Sequence, residues 1–257
     1  MKKKLAVIAA GCVLVIIISG FQSTMLYGTE YMEVRAGYTF SVSAAAEWWD
    51  CNWSYCKEIR IDHTKVQDDQ TNFPVLLYEA ADSDLAAHAQ SNGEDITFVH
   101  RYNSTQFKHE LEKFDSSTGE LWAWVNVTSI SSTEDTIFYM YYGNPTCGNQ
   151  EDVSGTWGPN YIMVQHLDES AGTIFDSTSF NNDGTNDGAT FNANSKIQGG
   201  YDFDGNDNIT CDHDSSLNIT NSITLEGWVK DPPWLKYNLQ TELKIVDKRD
   251  EKRQIIP

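Results

Sequence analysis

The chain has 257 residues, of which 40% are apolar and 21% charged, with 18 Lys and Arg against 37 Asp and Glu for a formal net charge of -19. That composition is globular rather than disordered. The charge argues against nucleic acid as a partner and against electrostatic docking on anionic lipid, because both attract basic patches.

The charge is uneven along the chain. Residues 1–46 hold four basic and two acidic residues, 47–229 hold 7 basic and 30 acidic, and 230–257 hold 7 basic and 5 acidic. The chain opens on Lys2, Lys3 and Lys4, followed by an unbroken apolar run from Leu5 to Ile18. A basic patch ahead of such a run has the form of an export signal. A membrane span needs about 20 apolar residues, and Phe21, Met25, Leu26 and Tyr27 extend the run towards that length. Residues 1–46 are therefore expected to be a cleaved signal peptide, or a transmembrane anchor helix with a spacer. In either case the lysines stay inside and the bulk of the chain lies outside, secreted or at the cell surface. Membrane contact is then confined to this segment.

Past residue 47 the pattern is one of strands. Lys57–His63 alternates, with Ile59 and Ile61 on one face. Phe73–Glu79 contains Pro74 and reads as an edge strand. A short helix is expected over Asp84–Gln90, with Ser83 as N-cap and Gly93 just beyond its end. Asp95–Arg101 puts Ile96, Phe98 and His100 on one side. Gln106–Phe114, Glu120–Val127 and Asp135–Tyr142 follow, with a turn at Ser116-Ser117-Thr118-Gly119. In Leu121–Val125 both faces are apolar, as expected of a strand covered on both sides, with Trp122 and Trp124 in the core. The stretch 147–160 is rich in Gly, Asn, Pro and Ser and reads as a linker. A second series follows at Tyr161–Leu167, Tyr201–Asp204, Asn208–Asp212 and Ser222–Lys230, with a long loop over Asp176–Asn194. Short strands at this spacing predict an all-β chain, a β-sandwich or jelly roll.

Outside the cell thiols oxidise. Cys51, Cys56, Cys147 and Cys211 lie beyond the signal, an even number that points to two disulfides. Cys51 and Cys56 are close enough for a loop bridge, which leaves Cys147 and Cys211. No CxxC pair is present, so structural zinc is not expected. Asn52, Asn103, Asn126, Asn208 and Asn218 each have Ser or Thr two positions on and are candidate glycosylation acceptors.

Two resemblances emerge. Trp48…Trp53-Ser54-Tyr55, Asp62-His63-Thr64, Asn72-Phe73-Pro74-Val75-Leu76, Thr118-Gly119-Glu120-Leu121 and Tyr139-Met140-Tyr141-Tyr142-Gly143-Asn144 make residues 47–146 similar to domain of unknown function family 2341, an exported surface-protein module. His166-Leu167, Asp176-Ser177-Thr178, Asn182-Asp183-Gly184, Phe203-Asp204-Gly205 and Ile223–Val229 make 161–230 resemble the front half of a concanavalin A-like, laminin-G-like lectin domain. The second resemblance implies a jelly roll. Only 97 residues run from Tyr161 to Pro257, against about 150 for two complete sheets of short strands. This half is therefore expected to be incomplete.

Carboxylate and amide oxygens on flexible loops suit calcium. Asp176, Asn182, Asp183 and Asp204 are the candidate ligands, as related loops of the lectin-like family hold a structural calcium. Trp48, Trp49, Trp53 and Tyr55 cluster at the start of the first module and are candidate ligand contacts, because aromatic faces stack on sugar rings. A glycosidase needs two facing carboxylates, and Glu110 and Glu112, alternate residues on one strand, are the pair of that kind, with Glu226 as a further acid or base. No zinc-protease, nucleophile-elbow or phosphate-loop motif is present. The expected function is a non-catalytic cell-surface or secreted module that binds glycan or a surface protein. The alternatives are a glycan-processing enzyme and a structural envelope component.

Overall fold

The computed structural model describes residues 5–8, 16–19, 48–102, 105–220, 222–230 and 244–247. The expected signal or anchor helix and its spacer fall outside these residues, except for Leu5–Ile8 (β1) and Ile16–Ser19 (β2), whose backbones are strands. No helix among the described residues is long and apolar enough to cross a membrane. The chain divides into two compact units, Met25–Gly158 and Met1–Thr24 with Pro159–Pro257. Both are all-β.

The strands of the unit Met25–Gly158 are β3 (Tyr55–Ile61), β4 (Gln70–Glu79), β5 (Thr97–His100), β6 (Gln106–Phe107), β7 (His109–Asp115), β8 (Glu120–Ile130) and β9 (Thr136–Tyr142). They form two antiparallel sheets, in the orders β3-β9-β5-β6 and β4-β8-β7. Pro74 sits on β4, an edge strand, where its missing N–H removes no ladder bond. Strand alternation sends one set of side chains from each sheet into a shared core. Ile59, Phe98, Phe138 and Met140 come from the first sheet and Leu77, Ala123, Val125 and Val127 from the second, all buried. Each large side chain so buried stabilises the fold by about 1.5–3 kcal/mol.

The segment Gln106–Phe114 is not one strand. It breaks at Lys108, where the chain passes from one sheet to the other: Phe107 pairs with Phe98 of β5, whereas His109 pairs with Val125 of β8. The helix α1 (Ser83–His88) is capped by Asp82 rather than by Ser83, with the Asp82 carboxylate accepting from the backbone N–H of Asp84 at 2.9 Å and of Leu85 at 3.1 Å. The turn before β8 packs on this cap, as Asp82 N–H donates to Thr118 O at 2.9 Å. Gly119 has φ of 73° there, and a Cβ would stand 1.9 Å from Asp82 O.

The stretch 147–160 is not a linker. Gln150 N–H donates to Glu94 O at 3.1 Å and Asp152 N–H to His109 O at 3.0 Å. A helical turn α2 (Val153–Thr156) follows, and then Trp157, which is 3% exposed. Residues 147–158 thus belong to the first unit, and the division between the units falls at Gly158–Pro159. Upstream, the buried Asp95 carboxylate accepts from the N–H of Gln90 at 2.8 Å, Gly143 at 2.7 Å and Asn144 at 2.9 Å, fixing the chain as it leaves β9.

The other unit contains β10 (Tyr161–Gln165), β11 (Thr173–Ile174), β12 (Gly184–Asp187), β13 (Thr190–Phe191), β14 (Tyr201–Asp202), β15 (Asn208–Cys211), β16 (Thr224–Glu226) and β17 (Lys244–Asp247). Its sheets run β11-β12-β15-β1-β17, β10-β2-β16 and β13-β14. Met163, Leu167, Ile174, Tyr201, Phe203 and Ile209 form its core. Two strands, β12 and β13, lie inside the expected long loop. Trp228, an apolar ring in a strand-like run, is 40% exposed.

Candidate ligand-binding face

The outer face of the β4-β8-β7 sheet carries the aromatic residues that alternate with the core. Directly opposed residues share a face. Tyr78 pairs with Trp122 and Leu76 with Trp124 across β4 and β8; Glu110 pairs with Trp124 and Lys113 with Trp122 across β7 and β8. A register shift between Leu111 and Lys113 brings Glu112 into the same row. Trp122 and Trp124 are thus half-buried on the outside, not in the core. The aliphatic set on the opposite side of β8 fills the space between the sheets.

Each indole is held by its own carboxylate. Trp122 Nε1 donates to Glu120 Oε1 at 2.9 Å, Trp157 Nε1 to Glu110 Oε2 at 2.7 Å, and Trp124 Nε1 to Glu112 Oε2. Lys113 Nζ pairs with Glu120 Oε2 at 2.7 Å, and together with the Trp122 bond it holds the Glu120 carboxyl below its usual range. The Tyr78 ring lies 3.9 Å from that of Trp122, and Trp124 lies 5.1 Å from Trp157. Tyr78 is 44% exposed, while Trp157 closes the far end. Trp122 and Trp124, two residues apart on β8, are spaced by about 7 Å. The result is a row of rings fixed in orientation by hydrogen bonds, open at the Tyr78–Trp122 end and edged by carboxylates.

Glu110 and Glu112 do share this face, yet both are buried beneath the aromatic row and each accepts an indole N–H. Glu226 belongs to the other unit.

The expected aromatic cluster divides. Trp48, Trp49 and Trp53 gather around Tyr141 on the outer face of the other sheet, with ring centroids 5.5 Å apart for Trp48–Tyr141, 5.6 Å for Trp49–Tyr141 and 5.0 Å for Trp49–Trp53. Trp53 is buried and donates to Asp95 O at 2.8 Å; with Val99, Tyr139 and Tyr141 it forms a small second core. Trp48 is 48% exposed. Tyr55 points to the opposite face, because Cys56 is the residue opposed to Tyr141, and it stacks on His88 at 4.0 Å and Tyr142 at 5.4 Å.

The four expected calcium ligands act as hydrogen-bonding groups within their loops and, for Asp176 and Asn182, to strand β10. Asp176 accepts from Val164 N at 2.8 Å, Thr178 N at 3.0 Å, Thr178 Oγ1 at 2.8 Å and Asn182 N at 2.7 Å. Asp183 accepts from Asp176 N at 2.9 Å, and Asn182 Nδ2 donates to Ile162 O at 2.7 Å. Asp204 accepts from Asn206 N at 3.2 Å in a separate turn. Among the described residues, the acidic, His and Cys side chains whose ligand atoms converge, within 4.8 Å, are Asp62, His63 and Asp135. There His63 Nδ1 lies 2.7 Å from Asp135 Oδ1, and Arg60 Nη1 donates to Asp135 Oδ2 at 3.1 Å. These donors hold Asp135 down to about 2, with His63 the larger influence.

Among the described residues the four cysteines expected to form two disulfides, Cys51, Cys56, Cys147 and Cys211, carry free thiols instead. Cys56 and Cys147 both pack on the Trp53–Tyr141 cluster, Cys51 is exposed, and Cys211 is buried in the other unit's core. Burial pushes the Cys56 and Cys211 thiols up to about 11. Asn52 and Asn218 are exposed and Asn208 is half-buried. Asn126 is buried and its Nδ2 donates to Thr156 O at 3.0 Å, so a glycan on that nitrogen has no room in the folded unit. Asn103 lies outside the described residues.

The sequence model of a family described as Domain of unknown function (DUF2341) matches residues 92–183. The match starts later than the resemblance read over 47–146 and runs further, through 147–160, β10 and the Asp176 loop. No curated protein and no solved structure matches the chain.

Proposed function

We propose that the unit Met25–Gly158 is a non-catalytic module that binds a glycan along the outer face of the β4-β8-β7 sheet. The observation that carries this is the Tyr78–Trp122–Trp124 row, with its indoles locked by Glu120 and Glu112. Rigid rings cover the apolar face of a pyranose at little entropic loss, and flanking carboxylates accept from its hydroxyls. The buried positions of Glu110 and Glu112 favour binding over hydrolysis, since bond cleavage needs carboxylates that reach the scissile bond. Location outside the cell rests on Lys2–Lys4 and the apolar run behind them. A lectin-like jelly roll in the other unit rests on its sequence motifs.

Titration calorimetry against a panel of oligosaccharides tests the proposal. Trp122→Ala and Tyr78→Ala are each expected to weaken binding by about 10-fold, equivalent to about 1.4 kcal/mol. Circular dichroism should remain unchanged, because neither ring is in the core. Full affinity in both folded variants would sink the reading.

A further inference from the structure

We infer that the ligand of this face is an uncharged, hydroxyl-rich glycan and that polyanionic glycans are excluded; this rests on the glycan reading above. All three indole N–H groups of the row are directed at carboxylates. The face therefore presents π surfaces and acceptors to a ligand, and no indole donor. Glu120 is the half-buried carboxylate at the open end. Its Oε1 takes Trp122 Nε1 and its Oε2 takes Lys113 Nζ, so each oxygen keeps a second lone pair for a ligand hydroxyl. Lys113, the cation opposed to Trp122, is neutralised by this pairing and is not available to a sulfate or uronate. Within the unit that carries the face, residues 47–158 hold 19 acidic against 6 basic residues, a field that repels anions over a Debye length of about 8 Å at physiological salt. Sugar hydroxyls donate to carboxylates and stack on rings without meeting that repulsion.

The test is calorimetric titration of the whole chain with neutral oligosaccharides of glucose, mannose and N-acetylglucosamine, and with polygalacturonate and heparin as polyanions. At least one neutral series should bind and lose affinity in Trp122→Ala. Both polyanions should bind at least ten-fold more weakly. That gap should narrow as salt is raised, and in Glu120→Gln. Equal or tighter Trp122-dependent binding of a polyanion would overturn the inference and leave the glycan reading standing. Exclusion of polyanions unchanged by salt and by Glu120→Gln would place the selection in shape and overturn the charge argument. Failure of every probe to bind in a Trp122-dependent way would overturn both.

Discussion

His109 sits where the chain crosses from one sheet to the other. It is fully buried and meets the Phe98 ring edge-on at 5.1 Å. Burial disfavours the charged imidazolium and lowers the pKa from 6.5 to about 4. The unfolded chain therefore binds this proton first as pH falls. The contribution is neutral above about 6.5, and stability is lost progressively between 6.5 and 4, to a total of roughly 3 kcal/mol. Carboxylates titrate lower in the same range, so a difference measurement isolates the histidine. Urea unfolding at pH 7, 5.5 and 4 should show a shallower loss in His109→Phe than in the parent; parallel curves would remove His109 from the account. Gly119 is a second single-residue constraint. Its positive φ and the 1.9 Å approach of a Cβ to Asp82 O leave no room for alanine. Gly119→Ala should lower stability by about 2 kcal/mol or more, read as a drop in melting temperature.

Strand β8 shows what an element reveals and conceals. Its alternation is plain in the sequence, with Leu121, Ala123 and Val125 against Trp122 and Trp124. Two apolar faces do not say which one is core. The aliphatic side won because the space between the sheets suits small, branched side chains, while an indole needs a partner for its N–H. Three glutamates at the right spacing were the signal that the outer face is aromatic by design. The sheet crossing at Lys108 left no trace, since a lysine between two apolar-rich segments continues a strand as well as it breaks one. The packed stretch 147–160 read as a linker from its small polar residues, and Trp157 was the clue against that. Trp157 stacks on Trp124 and donates to Glu110, tying the segment to β7 and β8. Trp157→Ala should destabilise the unit by about 3–5 kcal/mol in chemical denaturation. A loss under 1 kcal/mol would return the segment to the status of a linker.

Over the whole molecule, the excess of acidic residues is the dominant long-range force. A formal charge of -19 makes the compact state repel itself, and salt screens that repulsion. The melting temperature should rise between low and moderate sodium chloride, with potassium chloride equally effective. A melt that falls with salt would mean that ion pairs such as Lys57–Asp82 and Lys113–Glu120 outweigh the net repulsion.

The pairing of β3 with β9, in which Tyr55 meets Tyr142 and Ile61 meets Thr136, joins the first and last strands among the described residues of the unit. A ribosome delivers these partners far apart in time. The β7 and β8 hairpin, joined by the turn at Gly119, can close as soon as it emerges, but β3 has no partner until Tyr142 has been made. Folding therefore waits on a distant contact, with the slow kinetics that non-local strand pairing imposes. Until that last strand arrives, β3 and β5 both lack the neighbour that β9 places between them, and the half of the sandwich they belong to has no centre.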